Sequence, residues 1–530
     1  MFLNNKFSLW LLLFLSVIIY FLIGFYIVRE EFFILIISFI FLFIFQLYFL
    51  KQKINLRSVF ILGIVFRLSL IISIPELSQD FSRFIWDGSI QILGVNPYLY
   101  KPETLINLVR FPLSDFLYSK MGNLSAMNFS NYPPISQYIY YMSGYFNNGE
   151  IIKPVITIRV VYLISEIFLF FGLKNLLIKL EKNPLLTGWY FLNPMVIIET
   201  IGNLHGETLM ILFLIFSFYY LFEKKIFLSS FFMSLSIATK ILPILIVPIF
   251  FNYIGLRKFV KFISYLLLFS FLIWFPLIEK EVILNFLNTI YLWFNSFEFN
   301  ASLYYIIRFL GFKIFGYNLI KTISLFTPFI IVMLICFFTF YKTNNKKSIL
   351  LKNILLVYSI YFFISTTVHP WYIINLVILA IITGYLYPII WSFTSLLSYS
   401  AYKNSGFEEE PLLIFIEYLI VYLVFIYEFK KKPLLKHILL LFLITESAFS
   451  QFRSDIPIQS LPTNLNGELE TQPSFSLFDL NRIDINHGFT MSMISNGAQS
   501  FSIAALNNQV SYLALDNLRL DANISLYKIQ

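Results

Sequence analysis

The chain has 530 residues, 58% hydrophobic and 13% charged, with a mean hydropathy of +0.78. Soluble domains are nearer half apolar and a quarter charged, so this composition excludes a soluble globular enzyme and points to an all-α polytopic membrane protein. The net charge of +9 is no nucleic-acid signal, because Lys and Arg sit mainly in short loops between apolar runs, and the single Cys336 excludes a disulfide framework and a cysteine metal site.

The first apolar runs are about Phe7 to Val28, Phe32 to Leu50 and Ser58 to Ile74. Lys6 and the basic linker Lys51 to Arg57 mark the cytoplasmic side, so the chain emerges after Ile74 on the outer face. There it opens the longest segment of the first 430 residues that is unsuited to hydrocarbon, about residues 75–152. If Glu76, Asp80, Arg83 and Asp87 are helical, their spacing of i, i+4, i+7 and i+11 puts them on one stripe. Asn96-Pro97-Tyr98 and Asn131-Tyr132-Pro133-Pro134 follow, and the prolines break the segment into two or three short interfacial helices.

The next span, about Val155 to Leu173, carries Arg159 and Glu166 on one face, where intramembrane charges turn toward a bundle interior or a wet cavity. Spans near Leu185 to Ile201 and Thr208 to Phe222 flank Asn203-Leu204-His205-Gly206-Glu207. His205 and Glu207 at i, i+2 do not share a helix face, so this is no helical metal motif. The run Ile226 to Tyr253 is interrupted at Lys240-Ile241-Leu242-Pro243, which predicts two short helices with Lys240 at the outer turn. Further spans bracket Phe299-Asn300 and His369-Pro370-Trp371-Tyr372. The total is roughly fourteen spans, within 12–15 by this reading, and Lys or Arg recurs at nearly every turn the parity makes cytoplasmic. Asp80, Asp87, His205, Lys240, Asn300 and His369 then share the outer face.

After residue 430 the character changes. Residues 430–450 have the basic, apolar and small-x-small order of a secretory signal, ending at Ala448-Phe449-Ser450, and would act as a final span. Residues 451–530 alternate polar and apolar with turn signals, which predicts a small exported β-meander of three to five strands.

Taken in order, Asp80-x-x-Arg83-Phe84-x-Trp86-Asp87-Gly88, Gly94-x-Asn96-Pro97-Tyr98, Tyr132-Pro133-Pro134, Asn193-Pro194, Asn203-Leu204-His205, Lys240-x-x-Pro243, Phe299-Asn300 and His369-Pro370-Trp371-Tyr372 resemble the pattern of bacterial GT-C superfamily enzymes. These are polyprenyl-phosphate-sugar-dependent mannosyltransferases, distantly similar to the GPI mannosyltransferases. The resemblance covers residues 1 to about 430. It implies a GT-C-like helical bundle whose first large outer loop bears a catalytic acidic residue, although here that loop follows the third span rather than the first.

A polyprenyl-phosphate sugar has a good leaving group, so the reaction needs a base for the acceptor hydroxyl and cations for the departing phosphate. On this reading Asp80 is the base, and Arg83, Asp87, Asn96, Tyr98, Tyr132, His205, Glu207 and Asn300 are candidates for binding sugar or acceptor, with orienting Arg83 as the alternative role for Asp87. Lys240, Arg159 and His369 are candidates for the lipid phosphate. The expected reaction moves a hexose, mannose by resemblance, to a glycan or glycolipid acceptor on the periplasmic face of a bacterial inner membrane, with inversion. No cofactor and no metal cage is evident, and a divalent ion shared by Asp80, Asp87 and donor phosphate is possible chemically but not indicated. The competing reading is a flippase or transporter of lipid-linked sugar, which should show two related halves; no such repeat is visible.

Overall fold

The computed structural model describes residues 5–52, 54–341, 345–403 and 407–430, together with three strands within 483–529. The chain divides into two compact units, Met1–Glu470 and Thr471–Gln530. Helices of the first are α1 (Asn5–Phe25), α2 (Phe32–Lys51), α3 (Leu56–Leu68), α4 (Asp80–Ile92), α5 (Pro134–Tyr145), α6 (Ile152–Lys179), α7 (Glu207–Phe222) and α8 (Ile226–Thr239). There follow α9 (Leu256–Trp274), α10 (Val282–Ser296), α11 (Leu303–Phe315), α12 (Ile320–Cys336), α13 (Lys347–Ile364), α14 (Ile374–Thr383), α15 (Tyr387–Thr394) and α16 (Pro411–Lys430).

Among the described residues, seven segments are long and apolar enough to cross a bilayer: Ser8–Phe25, Phe32–Lys51, Ile152–Lys179, Leu256–Leu277, Ile320–Tyr341, Lys347–Ile364 and Pro411–Lys430. Pro194–Gly202 and Glu207–Phe222, bent by 112° at the break between them, add an eighth if they are one broken span. The chain is a multi-pass membrane protein, but with fewer full-length spans among the described residues than the sequence suggests. Local chemistry explains the difference. The expected span 185–201 carries Gly188 and Pro194 and is cut into the helix Gly188–Phe191, the helix Pro194–Ile197 and the π-helical turn Ile198–Gly202. The run 226–253 divides at Lys240 into α8 and the 3-10 segment Leu242–Phe250. The third expected span ends as a helix at Leu68.

Two features fix the frame of the site. The first is a buried ion pair. Arg67 of α3 reaches Glu166 of α6 at 3.0 Å, with both side chains fully buried. Nη1 of Arg67 also donates to the carbonyls of Gly63 and Phe191, and Glu166 accepts from Thr208 Oγ1 at 2.7 Å and Thr200 Oγ1 at 3.2 Å. Charges placed this deep persist only with such partners. The second is the crossing of α4 and α5 at Gly88 and Gly144. A Cβ on Gly88 would run into the Tyr140 carbonyl, and one on Gly144 into the Gly88 backbone. Two glycines let the backbones touch, and the carbonyl of Asn128, in the loop after helix Asn123–Ala126, accepts from Arg83 Nη1 on α4 at 3.0 Å.

Within residues 75–152 the structure has α4 and α5 and three shorter helices, Pro102–Leu105, Ser114–Lys120 and Asn123–Ala126. The second unit contains β1 (Ile483–Ser495), β2 (Ser500–Leu515) and β3 (Leu518–Ile529), antiparallel in the order β1-β2-β3. The signal-like segment expected after Lys430, including Ala448-Phe449-Ser450, lies outside the described residues.

Candidate functional site

The site begins at the first residue of α4. Pro75 keeps the preceding backbone non-helical, and Ser78 Oγ accepts the Asp80 N–H at 3.4 Å. An acidic residue in the first turn also matches the positive end of the helix. Residues Phe81 to Ile90 are buried without exception, whereas the Asp80 side chain is 39% exposed. The helix therefore seats its whole body in the protein and presents one carboxylate at its tip. Glu76, expected on the same stripe, precedes the helix and is exposed.

The break between the helix Pro194–Ile197, with its π-turn, and α7 faces this carboxylate. His205 Nδ1 lies 3.9 Å from Asp80 Oδ2, and His205 Nε2 lies 3.6 Å from Glu199 Oε2. Glu199 is fully buried and accepts from Tyr399 OH at 2.7 Å and Asn203 Nδ2 at 2.9 Å. The His205 amide donates to the Glu199 carbonyl at 3.0 Å, which closes the turn. Glu207, at the start of α7, is paired with the Lys240 ammonium, which is 24% exposed. Lys240 acts electrostatically on both His205 and His369.

Rings hold His205 in place. Its imidazole stacks on Trp371 at 3.8 Å and 15°, Trp371 stacks on His369 at 4.2 Å and 6°, and His369 stacks on Phe299 at 4.6 Å. This column is anchored where Phe299 pairs with Thr367 in an isolated parallel bridge, with Val368 N–H donating to the Phe299 carbonyl at 2.8 Å. Burial, and then the Lys240 ammonium, pull the His369 imidazole down to about 3. Burial, and then the Asp80 carboxylate, hold the Tyr132 phenol well above its usual value. His205 Nε2, Glu207 Oε2 and His369 Nδ1 are buried without a hydrogen-bond partner among the described residues. Orphaned polar atoms cost about 1–3 kcal/mol each, so three at one place suit a polar ligand.

Other expected site residues are placed elsewhere. Arg83 and Asp87 pair with each other, the alternative the sequence left open for Asp87, and both act electrostatically on Tyr132 together with Asp80. They form a buried pair at 2.7 Å, with Gln137 Nε2 donating to Asp87 at 2.9 Å and Arg83 Nη1 donating to the Asn128 carbonyl at 3.0 Å. Arg159 is fully buried and donates to the carbonyls of Ile201, Gly202, Ile71 and Ser73, all within 3.0 Å, so it braces the backbone behind the His205 turn. Asn96 holds the Leu277 carbonyl and Glu279 and lies apart from the Asp80 cluster. Tyr98 is buried against Trp274 and Phe286, and its OH donates to the Tyr132 carbonyl at 2.5 Å, so it steadies the loop that carries Tyr132. Asn300 is buried behind Phe299, donating to the Val368 carbonyl and to Glu417. Sequence reasoning gave no separate role to Glu199 or Tyr399 and passed over Arg67. For Glu199 the signal was available, since it stands six residues before His205 at a break in an apolar run.

Among the described residues, no group of three His, Cys, Asp or Glu side chains is arranged to hold a metal ion. The arrangement offers instead a part-exposed carboxylate, a neutral imidazole pinned among rings, and an ammonium beside them. A comparison with curated proteins finds no match. Residues 14–254 match the family model described as alpha-(1->6)-mannopyranosyltransferase, N-terminal domain (the MptA_B family). That stretch contains Asp80, Tyr132, Glu199, His205, Glu207 and Lys240, and it fits the GT-C mannosyltransferase pattern of the motifs. Over residues 14–254 the chain is similar to this mannosyltransferase family, and that similarity supports glycosyltransferase activity.

Proposed function

We propose that the protein transfers a mannosyl unit from a polyprenyl-phosphate donor to a glycan or glycolipid acceptor, with Asp80 as the general base. The observation that carries the reading is the position of the Asp80 carboxylate: 39% exposed at the tip of a buried helix, beside His205 and across from the Glu207–Lys240 pair. The acceptor O–H gives its proton to Asp80 as its oxygen attacks C1 of the sugar. The C1–O bond to the phosphate breaks, and its electron pair leaves with the phosphate. Lys240 is the cation placed to receive that charge, and Glu207 holds it there. In-line attack inverts C1, so the α-linkage in the family's description follows from a β-configured donor.

Asp80 and Lys240 lie at the ends of helices that start or stop at a break in an apolar run, where a greasy donor and a water-borne acceptor can meet. The basic turns at Lys51, Lys224 and Lys346 support a cytoplasmic location for the opposite end, which makes the Asp80 side periplasmic in a bacterial inner membrane. Residues 1–430 would be the transferase and 451–530 an exported β-rich tail beyond a signal-like span. The test is transfer in vesicles from labelled polyprenyl-phosphate mannose against a nucleotide-sugar donor. Transfer from the lipid-linked donor alone supports the reading, and transfer from the nucleotide sugar alone rejects it.

A further inference from the structure

A cavity of about 240 Å³ opens at the end of the bundle away from Asp80. It is lined by Lys182, Lys352, Ser348 and Thr383, with Leu180 and Ile382 among its apolar walls. It sits at the first turn of α13, an 18-residue helix whose far end leads into His369. A helix of that length spans about 27 Å, so the cavity is remote from Asp80.

Its chemistry is that of an anion site with greasy walls. Two ammonium groups border it, Lys182 just beyond α6 and Lys352 in the second turn of α13. The Lys352 ammonium is directed over the Tyr385 and Phe429 rings, at 6.0 and 5.5 Å, which fixes it at the cavity wall. The Ser348 hydroxyl adds a donor, and Ser348 and Ile349 belong to the first turn of α13, where backbone N–H groups carry the positive end of the helix dipole. Lys346 and Lys347 precede Ser348 in the chain and add positive charge at this end of α13. Orientation alone requires lysines near this end, but it does not require two of them on one cavity together with a hydroxyl and a helix start.

We propose that this cavity binds a phosphate group, supplied by the head group of an anionic lipid whose acyl chains lie along the apolar walls. Basic pockets between membrane helices recognise phosphate-bearing lipids in this way. The inference is independent of the role of Asp80.

The test uses the full chain in a neutral detergent, titrated with short-chain phosphatidylglycerol, short-chain phosphatidylcholine and inorganic phosphate, with binding read by thermal shift and by native mass spectrometry. Phosphatidylglycerol should bind saturably and phosphatidylcholine should not. Lys182→Gln combined with Lys352→Gln should weaken binding about 25-fold, roughly fivefold per lysine. If inorganic phosphate binds comparably and shows the same loss, the phosphate site stands and its ligand is the free anion. Absence of saturable binding by either anion, or equal binding by the double variant, overturns the proposal. Should the double variant not fold, Lys182→Gln alone must show the fivefold loss while Lys352→Arg binds within about twofold of wild type, and any other result overturns it.

Discussion

Asp87→Asn separates architecture from chemistry within one short motif. Asp87 is fully buried and accepts from Arg83 Nε at 2.7 Å and Gln137 Nε2 at 2.9 Å. Asparagine has nearly the same shape, but it leaves the Arg83 guanidinium, 3% exposed, without its counter-charge. Removing one partner of a buried pair costs about 3–5 kcal/mol. For a helical domain of this size that corresponds to a fall in Tm of roughly 3–6 °C. The assay is thermal unfolding in detergent of wild type, Asp87→Asn and Asp80→Asn. Asp87→Asn should show the fall, whereas Asp80→Asn should melt within about 2 °C of wild type, because its carboxylate is part-exposed. Replacing both partners, Arg83→Met with Asp87→Leu, should recover much of the loss, since no charge is then stranded. A wild-type Tm for Asp87→Asn together with lost transfer would refute the reasoning and return Asp87 to the reaction itself.

The same structure sets three further expectations. Gly144→Ala places a Cβ against the Gly88 backbone, so it should cost at least about 1–3 kcal/mol and lower Tm, while Gly94→Ala, with nothing near its Cβ position but a φ of 79°, should cost about 1 kcal/mol. His369 is held at about 3 against an unfolded value near 6.5. The unfolded chain then binds more protons between those values, so this contribution to stability is complete above pH 6.5 and is lost as pH falls toward 3, by at most about 1.4 kcal/mol per pH unit. His369→Phe should flatten that slope in a pH series of Tm measurements. Lys240→Gln should lower kcat about 100-fold by removing the charge offered to the leaving phosphate, with partial recovery in Lys240→Arg, and an unchanged kcat would exclude Lys240 from that role.

What could be read from the chain follows from what residue spacing encodes. Long unbroken apolar runs such as Phe32–Lys51 become helices because every backbone group must be satisfied within the segment. Lys240 before Pro243 announces a break, and the chain does end a helix at Thr239. Asp80 stands out in the sequence as the carboxylate that opens the motif beyond the third apolar run. The full burial of Asp87 was not legible, since residues on one helix face can still differ completely in burial, here because Gly88 and Gly144 let α4 and α5 touch. The same limit applies to Arg159. Its depth was legible, but its partners are backbone carbonyls some 40 and nearly 90 residues away in sequence, supplied by irregular segments that no periodicity describes. The ring column from Phe299 to His205 joins three distant stretches, and each stretch alone reads only as an aromatic loop.

The most direct test of the account is the rate of mannosyl transfer from a polyprenyl-phosphate donor by Asp80→Asn reconstituted in vesicles, with its Tm recorded alongside. A general base contributes about 100- to 10,000-fold, so the account predicts a loss in that range from a protein that melts like wild type. Transfer at the wild-type rate would contradict it.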